Sequence, residues 1–350
     1  MKSPFGKVVI CSWFLLAATS HATVTHRWSF SEASGTNILD TIGTANGKVV
    51  VIGTNTDFSR VSGMVRLAGG TRAQADYVEF PAGLVHSLTN VTIELWATPR
   101  AGQTWSRIFD FGPGNNTQAG TFFLSFCRGG TSLNQQRFEF GAPAAWTVDT
   151  GVATTAGTQY YYVVTWSATG GPNGGGLAQW YRDGVLQGSV DTGAMTIANV
   201  NDTVLWLGRS QYAADASATA DYNELRIYNH AMSPAEINSS MANGADNLVI
   251  PPPVAVNDAM TLNPGGMALI PILQNDQGLQ NGPNSITIVA NPSVGTAQVK
   301  SGGKVLYTHN GAPGRQINLL IGSKMRSAVI QALRPYSLRL AIRFACRTRL

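Results

Sequence analysis

The chain has 350 residues, a length that fits two domains and supplies material for at least one large hydrophobic core. Charged residues make up only 12% while glycine numbers 38, a turn-rich and strand-rich composition that excludes a coiled coil and argues against long amphipathic helices. The formal charge of +5 does not describe one folded surface: all 19 acids lie within residues 23–315, where they outnumber the bases, whereas residues 316–350 carry Lys and Arg and no acid. The main body is mildly acidic and shows no clustered basic face, so no nucleic-acid partner is expected.

Residues 1–22 combine a basic start (Lys2, Lys7), an apolar stretch over 8–18 and the small-residue exit Ser20-His21-Ala22, the form of a secretory signal cleaved before Thr23. An apolar stretch of about 11 residues falls short of the ~20 that cross a bilayer, so the expectation is export to a secreted, periplasmic or cell-surface location with no membrane span after cleavage. Over 23–247 short β-type runs alternate with Gly, Asn and Thr clusters, the pattern of an antiparallel sandwich or barrel. Strands are predicted over 77–80, 91–97, 107–111, 121–127, 137–140, 159–166, 204–207 and 224–228. In 91–97, Val91, Ile93 and Leu95 share one face and Thr92, Glu94 and Trp96 the other, which predicts a half-buried strand. Runs 177–182 and 185–190 flank Asp183-Gly184, a dipeptide that tolerates the positive φ of a tight hairpin.

One helix is predicted where Ser233-Pro234-Ala235-Glu236 supplies an N-cap hydroxyl, a proline at the first helical position and a glutamate three residues after the cap; Gly244 supplies the stop. One short helix after many strands favours an all-β jellyroll-type sandwich over any α/β layout. The Pro-rich segment 248–254 reads as an extended linker. Beyond it, 259–262, 268–273, 286–290, 296–299 and 305–308 read as a second set of short strands. Of the cysteines, Cys11 leaves with the signal and Cys127 sits in an apolar run as a buried small hydrophobe; a bridge from Cys127 to Cys346 in the tail is the alternative.

Several runs together carry a family resemblance: His26-Arg27-Trp28-Ser29-Phe30 followed by Gly35 and Asp40, Tyr77-Val78-Glu79-Phe80, Val91 to Trp96, Trp180-Tyr181-Arg182-Asp183-Gly184, and Glu224-Leu225-Arg226-Ile227-Tyr228 leading into the Ser233-capped helix. In these the chain resembles the laminin-G-like, concanavalin A-like jellyroll proteins exported by bacteria, over roughly 25–243. Residues 255–315 resemble an incomplete cadherin-like repeat of immunoglobulin type, through Val256-Asn257-Asp258, Ile272-Leu273-Gln274-Asn275-Asp276, Gly295 to Val299 and Tyr307 to Gly311. The two strands that would complete such a repeat have no counterpart in the basic tail 316–350, which reads as an out-of-frame or disordered ending or as a surface-anchoring tail.

Proteins of the resembled fold include glycosidases, and a retaining glycosidase needs two carboxylates about 5 Å apart. Their acid-x-acid-x-x-acid run does not occur here. Asp221-Tyr222-Asn223-Glu224 comes nearest, and regular alternation would point its two acids to opposite faces. No nucleophile elbow, zinc spacing or phosphate-binding loop occurs either, so a non-catalytic protein is expected. Calcium is the cation that hard oxygen donors would select, with Asn115 and Asn116 in the loop after Phe111 and Asp215 and Asp221 before the last strand as candidates; turn formation alone is the competing account of these residues. For a sugar ligand the candidates are Trp105, Trp146 and Tyr212, aromatics in or beside predicted loops, with loop packing as the alternative. Trp28, Trp96, Trp166, Trp180 and Trp206 fall within strands and read as core or sheet-surface residues. The expected function is recognition of a polysaccharide, glycoprotein or matrix by loops of the sandwich; a structural or adhesive spacer and a glycosidase are the alternatives.

Overall fold

The computed structural model describes residues 23–52, 57–116, 119–141, 147–248, 258–262, 265–274, 286, 288, 292, 295–311, 317–324 and 339–345. The expected signal, most of the linker, Trp146 and Cys346 lie outside the described residues. Those that are described fall into two compact units, one ending at residue 248 and one starting at 258.

The first unit begins with β1 (Val24–Trp28), β2 (Asn37–Ile38), β3 (Gly47–Val50), β4 (Phe58–Val61), β5 (Met64–Leu67), β6 (Gly70–Thr71), β7 (Tyr77–Phe80), β8 (Val91–Ala101) and β9 (Arg107–Gly112). It continues through β10 (Phe122–Ser125), β11 (Gln136–Phe140), β12 (Thr147–Thr150), β13 (Tyr160–Ser167), β14 (Gly176–Arg182), β15 (Val185–Gly193), β16 (Val204–Leu207), β17 (Ala216–Ser217), β18 (Thr219–Tyr228) and the helix α1 (Pro234–Asn243). One 8-stranded sheet has the order β15-β14-β13-β8-β18-β5-β4, with β1 also paired to β18; the other, again 8-stranded, runs β12-β11-β10-β9-β16-β7-β3-β2. Every pairing in the two sheets is antiparallel, and the central neighbours β8·β18 and β9·β16 are far apart in sequence. This is the jellyroll sandwich that the alternating runs predict.

Period-2 alternation places one side of each strand in the core. Ile93, Leu95, Val164, Trp166, Trp180, Leu225 and Ile227 face inward from the first sheet and meet Val78, Phe80, Phe109, Phe111, Phe122, Phe138 and Leu205 from the second. Phe140 and Trp166 stack across the gap at 5.5 Å and 7°. Cys127 is a buried free thiol against this core. The Asp183-Gly184 turn has φ of +52° and +76°, as a two-residue hairpin requires. Near the N-terminus, buried Asp40 accepts from His26 Nδ1 (2.6 Å) and from the amides of Arg27, Ile42, Gly43 and Ala45, which together outweigh burial and hold its carboxyl far below the usual range. A Cβ at Gly43 would stand 2.6 Å from Asp40 Oδ2, so the turn accepts only glycine there.

The half-buried reading of β8 is corrected: Val91 to Pro99 are buried on both faces. The outer face of the first sheet lies under α1, where Trp96, Tyr161, Val163, Tyr181, Tyr228, Met232 and Ile237 form a second apolar cluster. Within that layer each oxygen of Glu94 accepts two hydrogen bonds: Oε1 from Arg226 Nη1 (2.7 Å) and Tyr228 OH (2.6 Å), Oε2 from Tyr161 OH (2.6 Å) and Ser240 Oγ (2.8 Å). Arg226 also meets Glu224 (2.5 Å), which Arg27 meets from the other side (2.5 Å). Burial opposes ionisation of Arg226, and Glu94 and Glu224 more than offset it, raising its pKa. The helix starts as predicted, with Ser233 Oγ accepting from Glu236 N and Glu236 Oε2 accepting from Ser233 N (2.7 Å). Among the described residues no helix is long and apolar enough to cross a membrane.

Strands β2 to β5 and β12 were not anticipated. They are short, and β4 and β5 are joined by Ser62-Gly63 with φ of +51° and +76°, a second two-residue hairpin. In the second unit β19 (Asp258–Leu262), β20 (Met267–Ile270), β21 (Gly295–Lys300), β22 (Lys304–His309), β23 (Ile317–Lys324) and β24 (Arg339–Ala345) form two 3-stranded sheets, β19-β23-β24 and β20-β22-β21. Ile270, Ile272, Val305 and Tyr307 make its small core. The basic segment thus supplies two strands, β23 and β24, that its sequence gave no means to place.

Two outcomes follow from the layer under α1. Glu94→Gln leaves buried Arg226 to share Glu224 with half-buried Arg27, and urea unfolding should show a loss of about 3 kcal/mol. Glu236, held down to about 2 chiefly by His230 and also by Ser233, against burial, is stabilising above its unbound value of 4.5 and loses that contribution as pH falls toward 2. Thermal midpoints of wild type should therefore drop more steeply over that interval than those of Glu236→Gln.

Candidate functional site

The outer face of the second sheet carries a different chemistry from its core face. Successive register partners Lys48, Glu79, Trp206, Asp110, Phe123, Glu139 and Thr147 form one row across β3, β7, β16, β9, β10, β11 and β12. At about 4.8 Å per strand the row is about 29 Å long. The alternate residues of the same strands, such as Val78, Phe109, Phe111 and Phe138, fill the core.

Arg107 organises the middle of this face. It is 1% exposed, and its Nε lies 3.1 Å from Asp110 Oδ2, its Nη2 2.9 Å from Asp215 Oδ2, while Nη1 donates to the Trp105 carbonyl. Its guanidinium carbon stands 4.0 Å from the Phe123 ring centre, 5.6 Å from Trp105 and 5.9 Å from Tyr212. Three aromatic rings therefore surround one cation. Trp105 also receives Arg137 at 5.2 Å, and Arg137 is held by both oxygens of Asp149 (2.7 and 2.8 Å). Trp105 adopts φ +55°, a left-handed conformation that costs a non-glycine residue about 1–3 kcal/mol and that the flanking arginines hold in place.

Burial pushes the Asp110 carboxyl up to about 6, against the pull of Arg107 and the Gln211 amide. It raises Glu139 as well, against the Thr121 hydroxyl and Arg137. The Tyr212 phenol is raised by burial and by the carboxylates of Glu139 and Asp110. Asp110 Oδ1, Gln211 Nε2 and Tyr212 OH are buried polar atoms without a hydrogen-bond partner.

Of the aromatics singled out from sequence, Trp105 and Tyr212 are brought together around Arg107, and Trp146 lies outside the described residues. The four cation candidates are not gathered. Asp215 is engaged by Arg107 and by Ser210 Oγ (2.7 Å). Asn116 accepts from the Ala213 amide (3.0 Å) at φ +63°, tying its loop to the Tyr212 loop, and Asn115 is exposed beside it. Asp221 belongs to the other sheet, where Arg66 (2.7 and 3.0 Å) and Arg100 (3.1 Å) neutralise it. Guanidinium groups and a loop amide thus occupy the oxygens that a cation would need. Among the described residues no group of three or more His, Cys, Asp or Glu is placed to hold a metal.

The expected opposition of Asp221 and Glu224 is also corrected. A bulge between Tyr222 and Glu224 inserts an extra residue, so both acids point to the outer face of the first sheet, opposite Thr98 and Trp96. Each is already bound by two arginines. Sequence reasoning missed Arg107, Asp110, Phe123 and Arg137. The available signal was the alternation of charge with aromatics in Arg107-Ile108-Phe109-Asp110-Phe111 and Arg137-Phe138-Glu139-Phe140, which marks a strand with a core face and a polar face.

No curated protein matches the sequence. Among solved structures the chain is similar to domain 4 of an extracellular arabinanase from Geobacillus stearothermophilus, in complex with arabinotriose (18% identity, TM-score 0.43, covering 62% of this chain and 98% of that one). It is similar to a Trypanosoma rangeli sialidase (17% identity, TM-score 0.46, covering 66% of this chain and 36% of that one), so it spans about a third of the sialidase's length. It is also similar to the binding domain of Botulinum neurotoxin DC in complex with rat synaptotagmin II (12% identity, TM-score 0.47, covering 90% and 69%). These distant likenesses assign no ligand. A match of sequence to the Concanavalin A-like lectin/glucanases superfamily covers residues 72–238, the stretch from β7 into α1, and supports the jellyroll fold of this part of the chain.

Proposed function

We propose that the first unit is an exported recognition module that binds carbohydrate on the outer face of its second sheet without cleaving it. The observation that carries this reading is the convergence of half-buried Trp105 and Tyr212 on Arg107. Sugar rings present apolar C–H faces that stack on aromatic rings and hydroxyls that bond to nearby charged groups. Trp105 and Tyr212 supply the faces, and Arg137 with Asp149 supplies donors and acceptors at the edge. The strained backbone of Trp105 is a second support, because a residue kept in a costly conformation away from the core is more simply explained by binding than by folding. Binding without cleavage is supported by the burial of the carboxyls nearest the aromatics, Asp110 and Glu139, which are 0% and 2% exposed.

Trp105→Gly removes the ring and relieves the left-handed backbone. It should keep or raise the thermal midpoint while lowering retention on the glycans that wild type binds about tenfold, the equivalent of 1.4 kcal/mol. Unchanged retention rejects the site. A wild-type chain that retains no glycan on an array returns the unit to the spacer alternative, and release of reducing sugar from a polysaccharide panel returns it to the glycosidase alternative.

A further inference from the structure

We propose that Arg72 and Arg209 form an anion site that takes the acidic groups of a charged polysaccharide, uronate carboxylates or sulfate esters. The proposal rests on the carbohydrate reading above and adds the sign of the ligand's charge. Arg72 follows β6 and Arg209 follows β16, and the two chains clasp each other: Arg209 Nη1 donates to the Arg72 carbonyl (2.6 Å) and Arg72 Nε to the Ser210 carbonyl (2.7 Å). Both guanidiniums flank the Trp206 ring, at 5.7 and 5.4 Å, and Arg209 lies 4.4 Å from the Tyr77 ring centre. They stand on the same outer face as Trp105 and Tyr212, one strand over from Arg107.

Their electrostatics set them apart. Every other Lys and Arg among the described residues of the first unit has a carboxylate within 4.0 Å. Arg72 and Arg209 have none. The carboxylate on the adjoining strand, Glu79, is already taken by Lys48 Nζ (3.2 Å) and Trp206 Nε1 (3.1 Å). Arg209 Nε is buried without a partner. Burial, with Arg72 beside it, lowers the Arg209 pKa, so each cation raises the cost of the other. In an otherwise acidic unit whose remaining bases are all paired, two adjacent half-buried like charges are unfavourable until an oxyanion joins them. Guanidinium forks match such oxyanions through paired hydrogen bonds, and the donors for them are Arg72 Nη1 and Nη2 and Arg209 Nη2, which the clasp does not use.

The test uses the full chain and measures its retention on polygalacturonate, the methyl-esterified polymer, dextran sulfate and dextran. Wild type should retain at least one charged polymer tenfold or more over its neutral counterpart, and which one it retains separates carboxylate from sulfate. Arg72→Gln and Arg209→Gln should each remove most of that preference while leaving retention of neutral glycans unchanged. Arg66→Gln, which deletes a charge from the other sheet, should leave the preference intact. Equal retention of charged and neutral polymers overturns the anion site, as does an effect of Arg66→Gln equal to that of Arg72→Gln, since attraction would then follow net charge. Because Arg209 packs on Tyr77, melting curves accompany its variant, and the wild-type comparison and Arg72→Gln decide the matter if Arg209→Gln does not fold. Retention of neutral glycans alone overturns the anion site and leaves the Trp105 site standing; retention of no polymer overturns both.

Discussion

Glu94 sits in the central strand of the first sheet, shut off from water by α1, and a carboxylate in that position survives only if both its oxygens are fully hydrogen-bonded. Arg226, Tyr228, Tyr161 and Ser240 meet that demand, and in doing so tie β8, β13, β18 and the helix into one layer. The part of the first sheet's outer face around Glu94 is thereby covered. With the inner faces of both sheets committed to the aliphatic and aromatic core, polar chemistry lies on the rest of that face, at Asp221 with Arg66 and Arg100, and on the outer face of the second sheet.

On that surface the same logic produces a different result. Arg107 is as buried as Arg226, yet its partners Asp110 and Asp215 do not saturate the cluster, and Asp110 Oδ1, Gln211 Nε2 and Tyr212 OH stay without partners. The first network closes on itself, whereas the second leaves bonding capacity beside two half-buried aromatics. The first is satisfied within the chain, and the second is not. The Arg72 and Arg209 pair continues the theme along the sheet, with cations packed on aromatic rings in place of carboxylates.

The loops act less as freely variable displays than as extensions of this sheet. Asn116 and Gln211 bind the loop after β9 to the Tyr212 loop, and Asp215 anchors that loop to Arg107. Asn116 and Asp215, which composition alone would offer to a cation, serve as fasteners that hold Tyr212 beside Trp105.

Local chemistry made much of the fold readable in the sequence. Alternation in β7, β8, β9, β11 and β16 marked strands, Asp183-Gly184 supplied the φ that a two-residue turn demands, and the Ser233 to Glu236 cap fixed the start of the one helix of the jellyroll, because each depends on residues within a few positions of one another. Trp105 and Tyr212 were visible as loop aromatics for the same reason. The burial of Glu94, the bulge that turns Glu224 to the side of Asp221, and the meeting of Arg107 with Asp215 or of Arg72 with Arg209 depend on segments more than a hundred residues apart, or on an extra residue that breaks strict alternation. Sequence periodicity says that a strand has two faces; only the packing of helix and sheets decides which part of an outer face is covered and which stays open.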